Sequence, residues 1–314
     1  MPSAHHAAPT TPIALATVTA FALLAFAANS LLCRLALLDG ATDPASFTAI
    51  RLASGATVLL ALLAARRRRP QPGDGRDNGV LRGGGTWRGG LALFAYAAGF
   101  SLAYVAVGAA TGALLLFGAV QATMLWAGLW QGERLAAPQW IGFALAIVGL
   151  VALLLPGAAA PPLAAALWML GAGVAWGLYS LWGRGSVDPV GDTAGSFLRA
   201  LPFAAAMLLV HLDALRIDTV GLACALASGA IASGLGYALW YRVLPRLEAL
   251  RAATLQLAVP PLAALGGVVL LDEALDAMRI IAGAAILAGI AVVLRGRRAS
   301  THAAPQSSTP ESRP

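Results

Sequence analysis

The sequence contains no lysine, only two cysteines and few charged residues of any kind. Of its 314 residues, 11% are charged and 59% are hydrophobic, and its mean hydropathy is +0.77. Soluble domains carry roughly 25% charged residues, so an ordinary soluble enzyme is excluded. Apolar runs near the ~20 residues needed to cross a bilayer recur along the chain. The composition is therefore that of an integral membrane protein.

Side chains suited to metal or catalytic chemistry are also scarce. The four histidines occupy the two tails and one inter-span loop, and no HExxH, CxxC, Walker or Rossmann glycine pattern occurs. Cys33 and Cys224 both lie within apolar runs, which disfavours a disulfide between them. We therefore expect no metal and no cofactor.

Apolar runs between charged or Gly/Pro-rich breaks predict an all-α integral membrane fold with ten transmembrane helices. A polar, arginine-rich loop at 66–88 follows the second run, and a Ser/Thr/Pro-rich tail at 299–314 is expected to be disordered. The predicted spans are 13–38, 46–65, 89–108, 111–130, 138–156, 163–183, 194–212, 219–241, 250–271 and 277–294.

The arginines predict the direction in which the chain enters the membrane. With the N-terminus in the cytoplasm, the external loops hold only Arg216 and Arg279, and the other sixteen loop arginines are cytoplasmic. This is the positive-inside distribution, so we expect both termini to be cytoplasmic. The same topology explains the net charge of +7 without a nucleic-acid partner. It makes the 66–88 loop a topology anchor at the lipid surface.

One pattern occurs twice along the chain. Glu133 follows an apolar run and Gly149 comes sixteen residues later, and Glu273 and Gly289 repeat this spacing. Each half contains five predicted spans, so the second half enters the membrane from the opposite side.

The two halves, 13–156 and 163–294, are thus predicted to be inverted repeats. Inverted repeats place a substrate site where the halves meet, and the halves can exchange conformations. This exchange is what alternating access requires.

Several segments resemble EamA-like members of the drug/metabolite transporter superfamily, which have ten helices. They are NSLLCRLAL (29–37), DPASFTAIRLASGA (43–56), AATLQLAVPPLAALGGVVLLDEAL (252–275) and the two glutamate-containing turns. The resemblance implies a secondary carrier in a bacterial inner membrane, often an exporter of amino acids or other small metabolites.

The two halves depart from symmetry at one proline. Pro260 in the ninth span has no counterpart in the fourth, where Val120 stands beside Gln121. If a helix break at Pro260 shapes the cavity, Gln121 supplies a polar group in its place. We therefore do not expect strict symmetry of mechanism.

Arg51 and Arg199 are the sharpest candidates for substrate binding. Each lies early in a span after a phenylalanine, in SFTAIR and GSFLR. A charge at the bilayer centre costs roughly 2.5–3.5 kcal/mol on insertion scales, so it normally faces a polar cavity or a partner. The pair fits a clamp for a substrate carboxylate or phosphate. The alternative is that both arginines, like Arg34, extend to the nearby interface.

Uncharged polar and aromatic side chains within the spans supply further candidates. Some should line a central cavity, while others anchor the protein at the interface. Tyr104 and Gln121 lie deeper than the aromatic residues near span ends. The substrate-binding candidates of this kind are Tyr104, Gln121, Tyr179, Tyr237 and Gln256.

The sequence is best interpreted as a secondary transporter of a small metabolite such as an amino acid or organic acid. It is expected to work by alternating access and to export. The alternative is a membrane-embedded enzyme acting on lipids or isoprenoids. Glu133 and Glu273 are candidate proton-coupling groups, although their positions favour solvated turns. No carboxylate lies in mid-span, so facilitated or exchange transport also stays open, as does the oligomeric state.

Overall fold

The described part of the chain consists of helices and short connections, without strands. A computed structural model describes residues 12–67, 84–132, 136–154, 160–184, 186–243 and 255–302. The membrane helices are α1 (Pro12–Leu37), α2 (Pro44–Arg67), α3 (Trp87–Tyr104), α4 (Ala109–Trp130), α5 (Ala137–Leu154), α6 (Leu163–Trp182), α7 (Pro189–Val210), α8 (Thr219–Val243), α9 (Val259–Leu271) and α10 (Ala277–His302).

Eight of these helices are long and apolar enough to cross a membrane, and they are all but α3 and α9. Helix α9 is a shorter apolar helix because a turn at 257–258 precedes it and prolines occupy its first turn. The break expected near Pro260 is therefore present, whereas α4 runs through Val120 without interruption. The predicted all-α membrane fold is confirmed.

Besides the late start of α9, two helix boundaries differ from the predicted spans by five residues or more. Helix α7 begins at Pro189 because Asp188 caps it, with its side chain accepting from the Gly191 N–H. Helix α10 continues to His302, so the first residues of the tail at 299–314 are helical. Most of the loop at 66–88 and the first residues of the ninth span lie outside the described residues.

The main contacts between helices have counterparts between the helices that occupy the same positions in the other half, so that α1 corresponds to α6, α2 to α7, and so on to α5 and α10. Helix α1 packs on α8 and α9, and correspondingly α6 packs on α3 and α4. Helix α2 packs on α8, and α7 packs on α3. The pairs α2–α7, α4–α9 and α5–α10 each map onto themselves. This pattern is that of two inverted repeats around a pseudo-two-fold axis.

Helices α5 and α10 cross with their backbones in contact. A Cβ atom at Gly142 would lie 2.6 Å from the Gly289 carbonyl oxygen, and one at Gly149 would lie 2.8 Å from that of Ala282. The repeat relates Gly149 to Gly289 and Gly142 to Ala282, so the two contacts are symmetry equivalents. Small residues let membrane helices approach closely, and here they set the packing of this helix pair.

The α1–α2 and α7–α8 loops join at one end of the bundle. The Asp43 N–H donates to the Arg216 carbonyl at 2.9 Å, and the Arg216 N–H donates to Asp43 Oδ2 at 2.7 Å. Beside them Thr42 Oγ1 donates to Asp218 Oδ1 at 2.7 Å. Asp43 and Asp218 also cap α2 and α8, so one pair of carboxylates fixes both loops and both helix starts.

This loop junction should weaken in acid. Burial acts to raise the pKa of Asp43, but hydrogen bonds from Ser46 and from the Arg216, Ser46 and Ala45 N–H groups outweigh it and lower that pKa below 3.8. Because the pKa of Asp43 is lowered in the folded protein, its ionised carboxylate stabilises the fold at pH values above the unfolded-state pKa. This stabilisation is lost as the pH falls through the folded-state pKa.

We therefore expect the melting temperature of the purified protein to fall below about pH 4, as the Asp43 carboxylate becomes protonated. Asp43→Asn should have a lower melting temperature at pH 7 and a smaller further loss in acid. An equal acid-induced loss in the variant and the wild type, measured by intrinsic fluorescence, would contradict this role.

Candidate functional site

A small cavity of about 40 Å³ lies in the centre of the bundle. Helices α1, α3, α4, α6 and α8 line it, together with Gln256 before the break at α9, so both repeats contribute. Its polar lining consists of Asn29, Ser30, Ser233 and Gln256, and its aromatic lining of Phe26, Tyr96, Phe100, Phe117, Trp176 and Tyr237.

The aromatic lining is a connected set of rings. Trp176 stacks on Tyr237 with centroids 5.3 Å apart and planes at 19°, and it also lies 4.8 Å from Tyr96. Phe26 also contacts Tyr237, with ring centroids 5.7 Å apart. Aromatic rings bury a large apolar area, and each pair of rings in a preferred geometry adds ~0.5–1.5 kcal/mol of stability beyond that burial. They form a wall suited to the apolar part of a small molecule.

A buried polar network adjoins this wall. Arg51 is 2% exposed, and its Nη2 donates to the Tyr96 hydroxyl oxygen at 3.0 Å. Asn29 Nδ2 donates to the same oxygen at 3.2 Å, and Ser228 Oγ donates to Asn29 Oδ1 at 2.6 Å. The network thus ties α1, α2, α3 and the π-helical segment Ser228–Leu235 of α8 together. Such segments occur frequently at functional sites.

The charge of Arg51 has no carboxylate partner among the residues that the structure describes. Its guanidinium carbon lies 5.1 Å from the Tyr96 ring centroid and 5.0 Å from that of Phe100. Its Nη1 is buried and donates to no acceptor in the same part of the chain. Ring faces offset only part of the cost of burying a cation. A positive charge therefore lies directly behind the cavity wall and favours an anion inside it.

Three of the predicted site residues lie at or beside the cavity. Tyr237 and Gln256 line it, and Arg51 lies behind Tyr96 and Phe100. The structure brings these residues together from helices that are far apart in sequence.

The other predicted site residues lie away from the lining. Tyr104 is buried against Phe100, and Tyr179 contacts Thr193 through its hydroxyl at 3.4 Å. Gln121 is half-buried on α4. Their participation in binding stays a prediction.

Arg199 holds a loop. Its Nη1 donates to the carbonyls of Gly84 and Gly195, both at 2.9 Å. Gly84 belongs to the short segment before α3, which the Asp192 carboxylate also binds through the Gly85 N–H at 2.7 Å. Arg199 therefore anchors the start of α3, although its sequence context matches that of Arg51.

Tyr96 and Asn29 were not among the predicted site residues. Both side chains are polar and uncharged, and both lie in the middle of predicted spans. This position is the feature of the sequence that could have identified them as candidates. The predicted candidate in the same span as Tyr96 is Tyr104, which lies nearer the end of that span.

A polar closure lies at the end of the bundle where α9 ends. Arg34 Nε pairs with Glu273 Oε1 at 3.2 Å, and Arg34 Nη1 donates to the Tyr104 and Val105 carbonyls at 2.8 and 3.0 Å. Glu273 Oε2 accepts from the Ala109 N–H at 2.7 Å, at the start of α4. The closure joins α1, α3, α4 and α9. The symmetry-related Glu133 lies outside the described residues.

Two glycines and one strained residue make room for the Glu273 carboxylate. Cβ atoms at Gly108 and Gly267 would lie 2.9 and 2.8 Å from Glu273 Oε2. Asp272 adopts φ = 52°, in the left-handed region that favours glycine, and it ends α9. This turn directs Glu273 back over the helix end towards Arg34.

The EamA-like transporter family model matches this chain twice, at residues 13–155 and 163–295. The chain belongs to this family. An uncharacterised protein of Pseudomonas aeruginosa, PA1977, is 58% identical over 280 residues, covering 89% of the chain and 94% of that protein.

A second relative carries a functional name. The probable amino-acid metabolite efflux pump of Salmonella typhimurium is 28% identical over 181 residues, which cover 53% of the chain and 60% of the pump. A solved crystal structure of another protein is similar to this chain, with a TM-score of 0.58 and 23% sequence identity. The matched region covers 90% of this chain and 99% of the other protein's chain, and it supports the fold. The EamA-like chain is therefore a multi-pass membrane transporter, as its sequence predicts.

Proposed function

We propose that this EamA-like transporter exports a small metabolite with a carboxylate, such as an amino acid or organic acid, by alternating access. The proposed location is a bacterial inner membrane with both termini in the cytoplasm, and the distribution of arginines supports it. The name of the Salmonella relative, a probable amino-acid metabolite efflux pump, supports the substrate class.

This proposal depends on the charge of Arg51 beside the cavity, which has no carboxylate partner in the part of the chain that the structure describes. A substrate carboxylate in the cavity supplies the counter-charge that Arg51 lacks among the described residues, and it meets polar groups at Tyr96 and Asn29. The aromatic wall of Trp176 and Tyr237 then receives the apolar part of the substrate. A zwitterionic or anionic metabolite fits this combination better than a cation does.

The cavity has to widen before it binds such a molecule. Its volume of about 40 Å³ holds a few waters, whereas ligand pockets typically measure about 300–1,000 Å³. The Arg34–Glu273 closure lies at the end that the arginine distribution assigns to the outside. We propose that this conformation is closed externally and that release to the outside requires Arg34 and Glu273 to separate.

Removing the closure should favour the outward-open state. We expect Arg34→Gln to increase labelling of a cavity cysteine, Ser30→Cys, by an impermeant maleimide added outside, by about fivefold or more. The background should carry Cys33→Ala and Cys224→Ala. The loss of an ion pair and two hydrogen bonds, each worth roughly 1 kcal/mol, accounts for this shift.

Arg279→Gln is the matched control, because Arg279 lies at the same end and pairs locally with Asp276 at 3.7 Å. Equal labelling of the Arg34 variant, the Arg279 variant and the parent protein would show that the closure does not gate access.

Transport itself is tested with purified protein in liposomes. Labelled amino acids, organic acids and amines should be tested singly for efflux and uptake, with and without an imposed pH gradient. Saturable flux of at least one carboxylate-bearing compound is expected, and its response to the gradient decides between proton-coupled and uncoupled transport. Flux of amines alone would contradict the proposed substrate class.

A further inference from the structure

The Tyr96 hydroxyl receives hydrogen bonds from two groups that only donate. Arg51 Nη2 lies 3.0 Å and Asn29 Nδ2 lies 3.2 Å from the phenol oxygen. A guanidinium nitrogen and an amide nitrogen have no acceptor capacity. The phenol oxygen is therefore the acceptor in both bonds, and neither bond uses its own hydrogen.

The distances around Asn29 support this orientation of its amide. Ser228 Oγ lies 2.6 Å from Asn29 Oδ1, which is a usual separation for an O–H···O bond and short for one from N–H. The 3.2 Å separation from Tyr96 is at the long end for N–H···O and too long for a good O–H···O bond. The amide oxygen therefore faces Ser228, and the amide nitrogen faces Tyr96.

We infer that Tyr96 directs its hydroxyl hydrogen into the cavity and selects substrates that present a hydrogen-bond acceptor there, namely a carboxylate. Tyr96 lines the cavity, and two donors occupy the sides of its oxygen that face α1 and α2. The adjacent Arg51 charge polarises the O–H bond and strengthens it as a donor. The carboxylate assignment rests on the proposed function, whereas the direction of the hydrogen does not.

Asn29 is then a positioning residue. Its amide nitrogen keeps the Tyr96 hydrogen from turning towards α1, and the Ser228 hydroxyl keeps the amide from flipping. Changing Asn29 to aspartate preserves the size and shape of the side chain but replaces the donor with an acceptor, and it adds a negative charge near Arg51. The Tyr96 hydroxyl then donates to residue 29 and no longer to the cavity.

The first experiment needs no substrate. The intensity ratio of the tyrosine Raman doublet separates hydroxyls that accept from hydroxyls that donate. The chain has five tyrosines, so subtracting the spectrum of Tyr96→Phe from that of the wild type isolates Tyr96. We expect an acceptor-type ratio in the ligand-free protein and a donor-type ratio when the subtraction is repeated in the Asn29→Asp background. A donor-type ratio in the wild-type protein overturns the inference.

The second experiment measures binding to the purified full-length chain in detergent. Each of the twenty labelled amino acids, and succinate as an organic acid, is titrated against wild type, Tyr96→Phe and Asn29→Asp. For every compound that binds, both variants should weaken binding by about 10–100-fold, the range expected for loss of a hydrogen bond to a charged group. For each monocarboxylic amino acid that binds, the amine formed by removing its carboxylate should bind wild type and Tyr96→Phe equally weakly.

Tyr241→Phe is the matched control, because it loses the same atom from a tyrosine that does not line the cavity. It should bind like wild type, and a monodisperse size-exclusion peak should accompany every variant. Wild-type affinity in Asn29→Asp overturns the positioning role. Binding of amines in preference to acids overturns the proposed function, while an acceptor-type Raman ratio in that case still supports the orientation of Tyr96.

Discussion

Gly142→Leu and Gly289→Leu are expected to remove most folded protein from the membrane. At both positions the space for a side chain is filled by the backbone of the opposing helix, since the Cβ atom at Gly142 alone would come 2.6 Å from a carbonyl oxygen of α10. Overpacking typically costs roughly 1–3 kcal/mol where side chains adjust. A backbone cannot adjust in this way, so we expect α5 and α10 to separate at a cost above that range.

The measurement is size-exclusion chromatography of fluorescent fusions extracted in mild detergent. Gly171→Leu is the matched control, because it makes the same change on α6 at a glycine with nothing within 4 Å of its Cβ position. We expect a monodisperse peak for Gly171→Leu and aggregated or absent protein for the other two. A normal peak for Gly142→Leu would show that the close crossing of α5 and α10 is dispensable.

The glycines of this crossing illustrate what the sequence does predict. Gly149 and Gly289 are equally spaced from their glutamates, and this repetition predicts two equivalent helices in the two halves. Apolar runs predict the spans for the same reason, because the bilayer sets the length of a helix that crosses it. The pairing of α5 with α10 follows from the pseudo-two-fold axis and could not be derived from either segment alone.

The rotation of each helix about its own axis could not be predicted from the sequence. A transmembrane helix is apolar on its lipid face and on most of its packed face, so hydrophobicity does not mark the face that turns to the cavity. Gln121 was predicted to line the cavity from its depth and lies outside the lining, whereas Asn29 at similar depth lies within it. Only the contacts between helices distinguish the two.

Arg51 and Arg199 show a second limit. Their sequence surroundings match, yet Arg199 donates to the Gly84 carbonyl of the segment before α3, and Arg51 is enclosed by Tyr96 and Phe100. The symmetry of the repeats concerns the helices and does not extend to the connections, which differ in length and composition. The two arginines therefore meet different partners in the two halves.

Arg51→Met is expected to abolish transport while leaving the protein folded and as stable as wild type or more so. Methionine has a similar length and fills the space beside Tyr96 and Phe100, and it removes a buried charge that has no carboxylate partner in the described residues. Replacing buried charges with apolar side chains of similar volume is often neutral or stabilising, by up to ~1–4 kcal/mol. The substrate carboxylate loses its counter-charge at the same time, so we expect flux to fall by about 100-fold, equivalent to roughly 2.7 kcal/mol.

Unlike Arg51→Met, Arg199→Met is expected to be less stable than wild type. Its melting temperature should fall because the carbonyls of Gly84 and Gly195 lose their donor. Melting curves and liposome flux measured on the same preparations distinguish the two roles. Arg51→Lys separates the role of the charge from that of the planar guanidinium, since it keeps the charge but replaces the planar group that lies over two rings. If Arg51→Met is unstable, the arginine is a structural element of the core. If it is stable and transports normally, the cavity does not use its charge.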